Sequence, residues 1–321
     1  MLRFATLGTS WITTQFAEAA ARVPGVEVAV ACSRDAERAA RFARVIGARS
    51  SSGDLPALLA SGAVDAVYVG TPNSLHLAQA TDAVRAGLHV LVEKPATLRA
   101  ADFATLVAEA DAAGVVVLEG MRSAYDPGTA AVRALLPRLG TLRLASLRYC
   151  QRSSRYDLVL AGERVNIFDP ALGGGALNDL GVYCVSALVD LLGEPASVLA
   201  ASVPIGGGCD GAGTAVASYP GLVAALTWSK ITASDVPSEL QGEHGTLVID
   251  HLPAPRRLEL RLLDGTTEVV DVDAPPFTLE YEVERFARLC RGEDSPAADH
   301  ARTLAALRTM DAIRAATVPA R

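Results

Sequence analysis

The chain has 321 residues, of which 50% are hydrophobic and 20% charged, and its formal net charge is -7 at pH 7. This composition excludes intrinsic disorder, and the length leaves room for two hydrophobic cores. The acidic balance and the lack of any Lys- or Arg-rich run argue against nucleic acid as a partner. Since no apolar run reaches the roughly 18 residues of a membrane span and no signal-peptide pattern precedes the first strand, we expect a cytoplasmic protein without membrane contacts.

Strands and helices alternate along the first third of the chain, where short apolar segments follow segments with helical spacing of apolar residues. This order predicts an α/β domain over residues 1–120, with a doubly wound, mainly parallel sheet and a ligand crevice at the carboxyl ends of its strands. The predicted strands are 2–7, 26–32, 66–70, 89–92 and 115–119, and the predicted helices are one that starts near residue 12 and those at 35–46, 55–61, 74–86 and 100–113.

After residue 120 the pattern changes to successive strands with few helices. It predicts an α+β domain over residues 121–321, with a large, mainly antiparallel open sheet. Neither face of the strand at 222–230 is strongly polar, so we expect a second subunit to cover one face in a homodimer or homotetramer. The triple glycine at 206–208 is predicted to form a hairpin loop. The predicted strands are 141–148, 197–203, 213–218, 222–230, 239–241, 246–249, 258–263 and 268–272, and the predicted helices are 176–192, 279–291 and 299–316.

The turn GTSWIT after the first strand is a candidate cofactor loop. In a Rossmann βα turn three glycines allow a tight turn, close approach of a pyrophosphate and close packing of helix on strand. Gly8, Ser10 and Thr13 occupy those places, and serine is small and can donate its hydroxyl to phosphate. An ordinary βα turn without a ligand remains an alternative. The predicted cofactor contacts in this loop are Gly8, Thr9, Ser10, Trp11 and Ile12.

The end of the second strand favours NADP over NAD. An enzyme that uses NAD commonly has Asp or Glu there to bind the ribose hydroxyls, whereas an arginine can bind the 2′-phosphate of NADP. The chain reads Cys32, Ser33, Arg34, and Ser33 and Arg34 can hold a phosphate through a hydroxyl and a guanidinium. NAD stays possible, and so does an arrangement in which Ser33 is a helix N-cap and Arg34 is solvated beside Asp35.

Four further motifs occur in order along the chain: TPNSLH at 71–76, EKP at 93–95, GGGALNDLGVY at 173–183 and QGEHGTLVID at 241–250. With them the chain resembles, over essentially its whole length, the Gfo/Idh/MocA family of NAD(P)-dependent oxidoreductases. The resemblance implies cofactor contacts beside the nicotinamide ribose and at the strand that precedes EKP, although a solvated surface position for His76 remains open. The implied residues are Thr71, Pro72, Asn73, His76, Glu93 and Lys94.

Lys94 is a candidate for catalysis. Oxidation of an alcohol needs a group that takes the hydroxyl proton, and the reverse reaction needs an acid in the same place. Burial at the end of a parallel strand and a nearby cationic nicotinamide both favour the neutral form of a lysine. From the residues alone, a lysine in a surface loop paired with Glu93 is the alternative.

Asp179 and Tyr183 are four residues apart on a predicted helix and share one of its faces. Tyrosine at this place resembles the glucose-fructose oxidoreductase and dihydrodiol dehydrogenase branch of the family, and the resemblance implies that lysine and tyrosine form the proton-transfer pair. We therefore predict Tyr183 as the proton donor, Lys94 as its electrostatic partner and a substrate-binding group, and Asp179 as the group that orients substrate hydroxyls. A tyrosine that only packs in the core remains an alternative.

Together these features predict an NADP-preferring oxidoreductase that acts on a secondary alcohol of a sugar, polyol or cyclic diol. Two alternatives stay open: a dinucleotide-binding sensor without turnover, and a relative in which bound NAD assists an elimination by internal redox. No metal is expected, because the 5 cysteines and 5 histidines show no C-x-x-C or H-E-x-x-H spacing. Polar side chains near the catalytic segments suit a polyhydroxylated substrate: Arg122, Arg152, Arg155, Tyr156 and Asn166.

Overall fold

The computed structural model describes residues 1–275 and 278–319, which fold as two compact units. The described part of the first unit comprises residues 1–120 and 278–304, and that of the second comprises 121–275 and 305–319. The chain thus leaves the first unit after residue 120 and contributes to it again near its end.

A parallel sheet forms the centre of the first unit. Its strands are β1 (Leu2–Leu7), β2 (Val26–Cys32), β3 (Ser50–Ser52), β4 (Ala66–Val69), β5 (His89–Glu93) and β6 (Val117–Gly120), and the helices between them are α1 (Trp11–Ala20), α2 (Ala36–Ile46), α3 (Leu55–Leu59), α4 (Asn73–Arg85) and α5 (Ala100–Ala113). The strand order is β3-β2-β1-β4-β5-β6. Because the order reverses at β1, the crevice for a ligand lies at the carboxyl ends of β1 and β4. The predicted doubly wound sheet is confirmed, whereas β3 was missed because its three serines carry no apolar signal.

Aromatic side chains occupy the core of the first unit. The ring of Phe16 stacks on Tyr68 at a centroid distance of 3.8 Å, and Phe4 meets Phe16 edge-on at 5.2 Å. Phe286, from the later segment, lies 5.4 Å from Phe4, and all four side chains are fully buried. Each buried ring stabilises the unit by roughly 1.5 to 3 kcal/mol. The segment 278–304 is therefore part of this core.

A nine-stranded sheet dominates the second unit. Its strands are β7 (Leu142–Cys150), β8 (Ser197–Pro204), β9 (Asp210–Tyr219), β10 (Leu222–Ser229), β11 (Ser238–Gly242), β12 (Gly245–Ile249), β13 (Arg257–Leu262), β14 (Thr267–Asp271) and β15 (Thr317–Pro319). They lie in the order β14-β13-β12-β11-β7-β10-β9-β8-β15. The pairs β7 with β10 and β8 with β15 are parallel and the others antiparallel, so the predicted mainly antiparallel sheet is confirmed. The triple glycine connects the antiparallel strands β8 and β9, as predicted.

The helices in the rest of the chain are α6 (Arg122–Tyr125), α7 (Pro127–Leu135), α8 (Tyr156–Leu160), α9 (Val182–Leu192), α10 (Leu279–Cys290) and α11 (Ala297–Ala316). Helices α6, α7 and α8 were not predicted from the sequence. For α7 the signal was present, because the Asp126 carboxylate caps the helix by accepting from the Gly128 N–H at 2.7 Å and Pro127 stands in the first turn. The helix predicted at 176–192 is divided into a π-helical turn, Leu177–Gly181, and α9.

Contrary to the expectation that no apolar run is long enough, one stretch in the second unit resembles a membrane span in length and composition. It runs from Pro170 to Leu192, and 67% of its most apolar window is buried inside the protein. This degree of burial is that of a helix in the core of a globular unit, so the stretch is weak evidence for a membrane contact.

Candidate functional site

The turn after β1 brings three loops of the first unit together. Gly8 has a φ of +109°, and its N–H donates to the carbonyl of Cys32 at the end of β2, at 3.2 Å. A Cβ at position 8 would lie 2.6 Å from the carbonyl oxygen of Gly70, which follows β4. Glycine is required here, because both the φ and the close contact exclude a side chain.

Helix α1 begins in the same turn. Ser10 is its N-cap residue, but the Ser10 side chain accepts no hydrogen bond from the helix amides. Its hydroxyl instead lies 3.1 Å from that of Thr13 and 3.4 Å from the Gly70 carbonyl. Trp11 is 62% exposed, and Thr9 and Ile12 are half-buried. A helix N-terminus without a side-chain cap suits an anion such as a phosphate.

The end of β2 carries the predicted phosphate-binding residues. Arg34 is exposed, and the Ser33 hydroxyl accepts from the Asp35 N–H at 3.4 Å. The Asp35 carboxylate caps α2 by accepting from the Arg38 N–H at 3.0 Å, and this bond lowers the pKa of Asp35. Ser33 is therefore not the helix cap, whereas the exposure of Arg34 agrees with the solvated position that the same alternative gave it. Asp35 is engaged as the cap of α2. Ser33 and Arg34 are therefore the residues at this strand end that suit a 2′-phosphate.

A buried histidine joins the loops after β4 and β5. His76, in the first turn of α4, is fully buried, with Nδ1 3.0 Å from the carbonyl oxygen of Pro95 and Nε2 2.9 Å from that of Thr71. Burial lowers the pKa of His76. The solvated position that the sequence left open is therefore wrong. The ring connects the loop of Thr71, Pro72 and Asn73 to the loop that carries Lys94, and its predicted cofactor contact stays a prediction.

Buried acids hold the turn around Lys94. Glu119, at the end of β6, accepts from the Ala96 N–H at 3.0 Å, and burial raises the pKa of Glu119. Glu93 accepts from the Tyr68 hydroxyl at 2.6 Å and from the Lys94 N–H at 3.3 Å. The backbone is thus fixed on both sides of Lys94, whose side chain is half-buried at the carboxyl end of β5.

In the second unit, the glycine run before α9 is a tight turn around Asp210. Gly175 has a φ of +124°, and a Cβ there would lie 2.4 Å from Oδ1 of Asp210. Oδ2 accepts from the Leu177 N–H at 2.7 Å and from the Trp228 indole N–H at 3.1 Å. Asp210 therefore fixes the start of the π-helical turn that carries Asp179 and ties it to β10.

Asp179 pairs with a lysine that the sequence analysis did not select. Lys230 follows β10, and its Nζ forms an ion pair with Oδ2 of Asp179. The Lys230 side chain is 5% exposed and that of Asp179 35%, and the ammonium lies 5.5 Å from the centre of the Phe168 ring. Asp179 is therefore a partly exposed carboxylate with a buried cation beside it.

Tyr183 lies in the first turn of α9 and is 8% exposed. Its ring meets Tyr149 of β7 edge-on at 5.6 Å, and Tyr149 meets His251 edge-on at 5.4 Å. Cζ of Arg122 lies 5.6 Å from the centre of the Tyr183 ring, and its Nε–H donates a long hydrogen bond of 3.5 Å to the Tyr183 hydroxyl. The hydroxyl is therefore in contact with a cation, which a tyrosine in a purely hydrocarbon core would lack.

Lys230, Asp210 and Tyr149 were not predicted as site residues, because their partners are distant in the chain. The available signal for Lys230 was its place at the end of an apolar strand, TWSK, where a charged residue is unusual. Among the residues predicted by neighbourhood, Arg152 pairs with Asp157 at 2.8 Å and lies 5.3 Å from the centre of the Tyr156 ring.

The carboxyl edge of the parallel sheet fits a phosphorylated dinucleotide. Glycine at position 8 lets the turn after β1 approach the Gly70 carbonyl, α1 starts without a side-chain cap, and Ser33 and Arg34 follow β2. These residues would hold the pyrophosphate and the 2′-phosphate. Within residues 1–275 and 278–319, no group of three or more His, Cys, Asp and Glu side chains is arranged to hold a metal ion.

Two family models match the chain. Residues 2–121 match the oxidoreductase family with an NAD-binding Rossmann fold, and residues 129–248 match the GFO/IDH/MocA C-terminal domain. The matches fall on the sequence regions of both units and include the glycine turn, the Lys94 turn, Asp179 and Tyr183.

Similar proteins span nearly the whole chain. The scyllo-inositol 2-dehydrogenase (NADP(+)) of Bacillus subtilis is 40% identical over 291 residues, which make up 91% of this chain and 89% of that protein. The D-xylose 1-dehydrogenase (NADP(+)) 2 of Haloferax volcanii is 30% identical over 318 residues, 97% of this chain and 96% of that protein. The crystal structure of a 3-ketoreductase from Actinomadura kijaniata in complex with NADP and TDP-benzene is similar with a TM-score of 0.88 at 26% identity, and the match covers 99% of this chain and 98% of that one. The chain therefore belongs to the Gfo/Idh/MocA family of oxidoreductases, whose N-terminal domain is an NAD-binding Rossmann fold.

Proposed function

We propose that this protein is an NADP-dependent oxidoreductase that interconverts a secondary alcohol and the corresponding carbonyl on a sugar, polyol or cyclic diol. The observation that carries the proposal is the carboxyl edge of the parallel sheet, where the Gly8 turn, the uncapped start of α1 and the segment with Arg34 occur together with the Lys94 turn. Two of the relatives, an inositol dehydrogenase and a xylose dehydrogenase, are named as NADP(+) enzymes and support both the cofactor and the substrate class.

Bound NADP supplies the acceptor for the hydride, or NADPH the donor in the reverse direction. The chain supplies the proton and the orientation of the substrate. Tyr183 Oη gives or takes the proton of the reacting hydroxyl, and the Arg122 Nε–H that donates to Oη at 3.5 Å orients it. Lys94 binds the substrate oxygen and stabilises negative charge on it, and Asp179 accepts a hydrogen bond from a second substrate hydroxyl.

Cofactor preference is tested by titrating the intrinsic fluorescence with NADPH and NADH. Trp11 is 62% exposed at the start of α1, so a bound dinucleotide is expected to quench it. Arg34→Ala should weaken NADPH binding about tenfold to hundredfold, because a charge-assisted phosphate contact contributes roughly 1.5 to 3 kcal/mol, and should leave NADH binding unchanged.

Arg41→Ala is the matched control for Arg34→Ala. Arg41 is an exposed arginine of α2 that pairs with Glu37 at 3.4 Å, and its loss should change neither affinity. Equal affinity of the wild-type protein for the two cofactors would contradict the NADP preference. Binding of neither cofactor would contradict the proposed function as a whole.

Turnover is tested by following NADP reduction with a panel of inositols, aldoses including D-xylose, and cyclic diols. We expect turnover of at least one neutral polyhydroxylated compound. Tight NADPH binding without turnover of any member, in either direction, would contradict an oxidoreductase of this substrate class and favour a dinucleotide sensor.

We also propose that the open face of the nine-stranded sheet joins subunits of a homodimer or homotetramer. On this face, Leu144 lies opposite Val223, and Val216 lies opposite Leu199. These four side chains are 50%, 41%, 40% and 74% exposed, respectively, and adjacent exposed apolar residues of this kind are typical of interfaces.

Val223→Lys should shift the sedimentation coefficient to that of a monomer, whereas Thr267→Lys on the edge strand β14 should not. A monomeric wild-type protein would overturn the proposal.

A cytoplasmic location without membrane contact is part of the same proposal. The apolar stretch Pro170–Leu192 ends in α9, which packs on β7 and β10 within the second unit. Cell fractionation should therefore place the protein in the cytosolic fraction, and recovery from the membrane pellet would contradict this.

A further inference from the structure

Lys230 is a buried cation that has no role in the reaction proposed above. The 29 Lys and Arg residues of the chain include only two lysines, Lys94 and Lys230. At every other Lys or Arg position of the chain the residue is an arginine. The Lys230 side chain is 5% exposed, and a lysine is seldom buried to this extent unless a partner compensates its charge.

The backbone of Lys230 is anchored between two segments of the second unit. Its N–H donates to the Gly211 carbonyl at 2.8 Å, and its own carbonyl accepts from the Ser153 N–H at 2.8 Å. The side chain brings Nζ to 5.5 Å from the centre of the Phe168 ring and into the ion pair with Asp179. The position of the Lys230 ammonium group is thus determined by its anchored backbone and by the burial of its side chain.

We propose that Lys230 is a positioning residue for the substrate, which holds Asp179 as an oriented carboxylate that accepts a hydrogen bond from a substrate hydroxyl. This inference rests on the proposed function and makes it more specific. The Asp179 side chain is 35% exposed and that of its cation 5%, so the carboxylate is accessible to a ligand while a buried ammonium group orients it.

The neighbouring acid, Asp210, has a structural role. Asp210 accepts from the Leu177 N–H and from the Trp228 indole, and the Lys230 ammonium pairs with Asp179. A carboxylate only accepts hydrogen bonds, so it selects substrates with a hydroxyl near the reacting carbon and discriminates against analogues that offer only an acceptor there. The expected substrate thus carries a second hydroxyl besides the one that reacts, since Asp179 and Tyr183 would each engage a different hydroxyl.

The test compares Lys230→Met, Asp179→Asn and the double variant on a polyol that the wild-type protein turns over. Lys230→Met should raise KM for the polyol about tenfold or more, with a smaller change in kcat and with NADPH affinity unchanged. If Lys230 acts through Asp179, the double variant should have a KM no higher than that of Asp179→Asn.

Arg133→Met is the matched control. Arg133, on α7, pairs with Asp190, at the other end of α9 from Tyr183, at 2.6 Å, so its loss removes a cation that pairs with α9 without touching Asp179. Its KM should equal that of the wild-type protein. If Lys230→Met does not fold, the double variant carries the test, because removal of both charges of a buried pair is tolerated better than removal of one.

Two results would overturn the inference while leaving the proposed function intact. One is an unchanged KM in folded Lys230→Met, and the other is a KM in the double variant well above that of Asp179→Asn, which would mean that Lys230 acts independently of Asp179. Failure of the proposed function is distinguishable, because it would appear in the wild-type protein as absence of turnover before any variant is compared.

Discussion

The two units hold their candidate functional residues in opposite ways. In the first, loops after parallel strands meet at one edge of the sheet and are held through backbone groups, as at the N–H of Gly8 and the carbonyls that face His76. In the second, side chains hold one another across long distances in the chain, as in the ion pair of Lys230 with Asp179 and the contact of Arg122 with Tyr183. A parallel sheet collects successive loops at the same edge, whereas an antiparallel sheet sends them to alternate edges.

This difference predicts different sensitivities to substitution. The affinity of the first unit for its cofactor should depend most on positions where the backbone leaves no space for a side chain, such as Gly8. It should depend least on individual exposed side chains, with Arg34 as the exception. Substrate chemistry in the second unit should depend on single side chains, because each polar group there is positioned by another side chain.

The largest expected effect is that of Tyr183→Phe in the second unit. Loss of the hydroxyl should lower kcat by about 10²-fold or more, because the proton transfer is removed while the ring stays in place. NADPH affinity and the thermal midpoint should match those of the wild-type protein. Tyr149→Phe keeps the ring that packs on Tyr183 and should retain most of the activity. Steady-state kinetics showing an unchanged kcat for Tyr183→Phe would remove this residue from the mechanism.

In the first unit the strongest test is a methyl group at Gly8. Gly8→Ala should abolish measurable NADPH binding and lower the free energy of unfolding by about 2 kcal/mol more than Gly25→Ala. Both glycines have positive φ, +109° and +79°, but a Cβ at Gly8 would lie 2.6 Å from the Gly70 carbonyl oxygen, whereas nothing lies within 4 Å of one at Gly25. The two variants share the strain of a side chain at positive φ, so the difference between their free energies of unfolding, measured with denaturant, reports the clash with the Gly70 carbonyl alone. Equal losses would show that the turn can open.

A smaller effect is expected from pH, through His76. Burial lowers the pKa of His76 from its ordinary value of 6.5, so the unfolded chain binds a proton more readily than the folded one. The contribution of neutral His76 to the free energy of unfolding is therefore complete above about pH 7. It is lost as pH falls below that value, by up to about 1.4 kcal/mol per pH unit. Urea unfolding between about pH 7 and pH 5 measures the slope. His76→Gln should flatten it, and an identical slope in that variant would exclude this ring as its source.

Much of the first unit was predictable because its signals are local. The strands β1 and β2 and the helix α5 begin and end at the predicted residues, since strand and helix periods are written in neighbouring positions. The location of the candidate loops was predictable for the same reason: a loop motif after a parallel strand lies at the carboxyl edge of the sheet wherever the strand lies. The cofactor contacts assigned to residues of these loops stay predictions. Signals that were present but missed include Asp126 with Pro127 at the start of α7.

The sequence by itself determined the doubly wound sheet, the mainly antiparallel second sheet, the family and the loops that carry Gly8 and Lys94, because each rests on a short pattern of adjacent residues. Only the tertiary structure decided that Asp179 pairs with a lysine 51 residues away, that His76 is buried between two loops, and that residues 278–304 belong to the first unit. These contacts depend on which distant elements pack together, and the packing is set by the summed burial of many side chains, which no local pattern encodes.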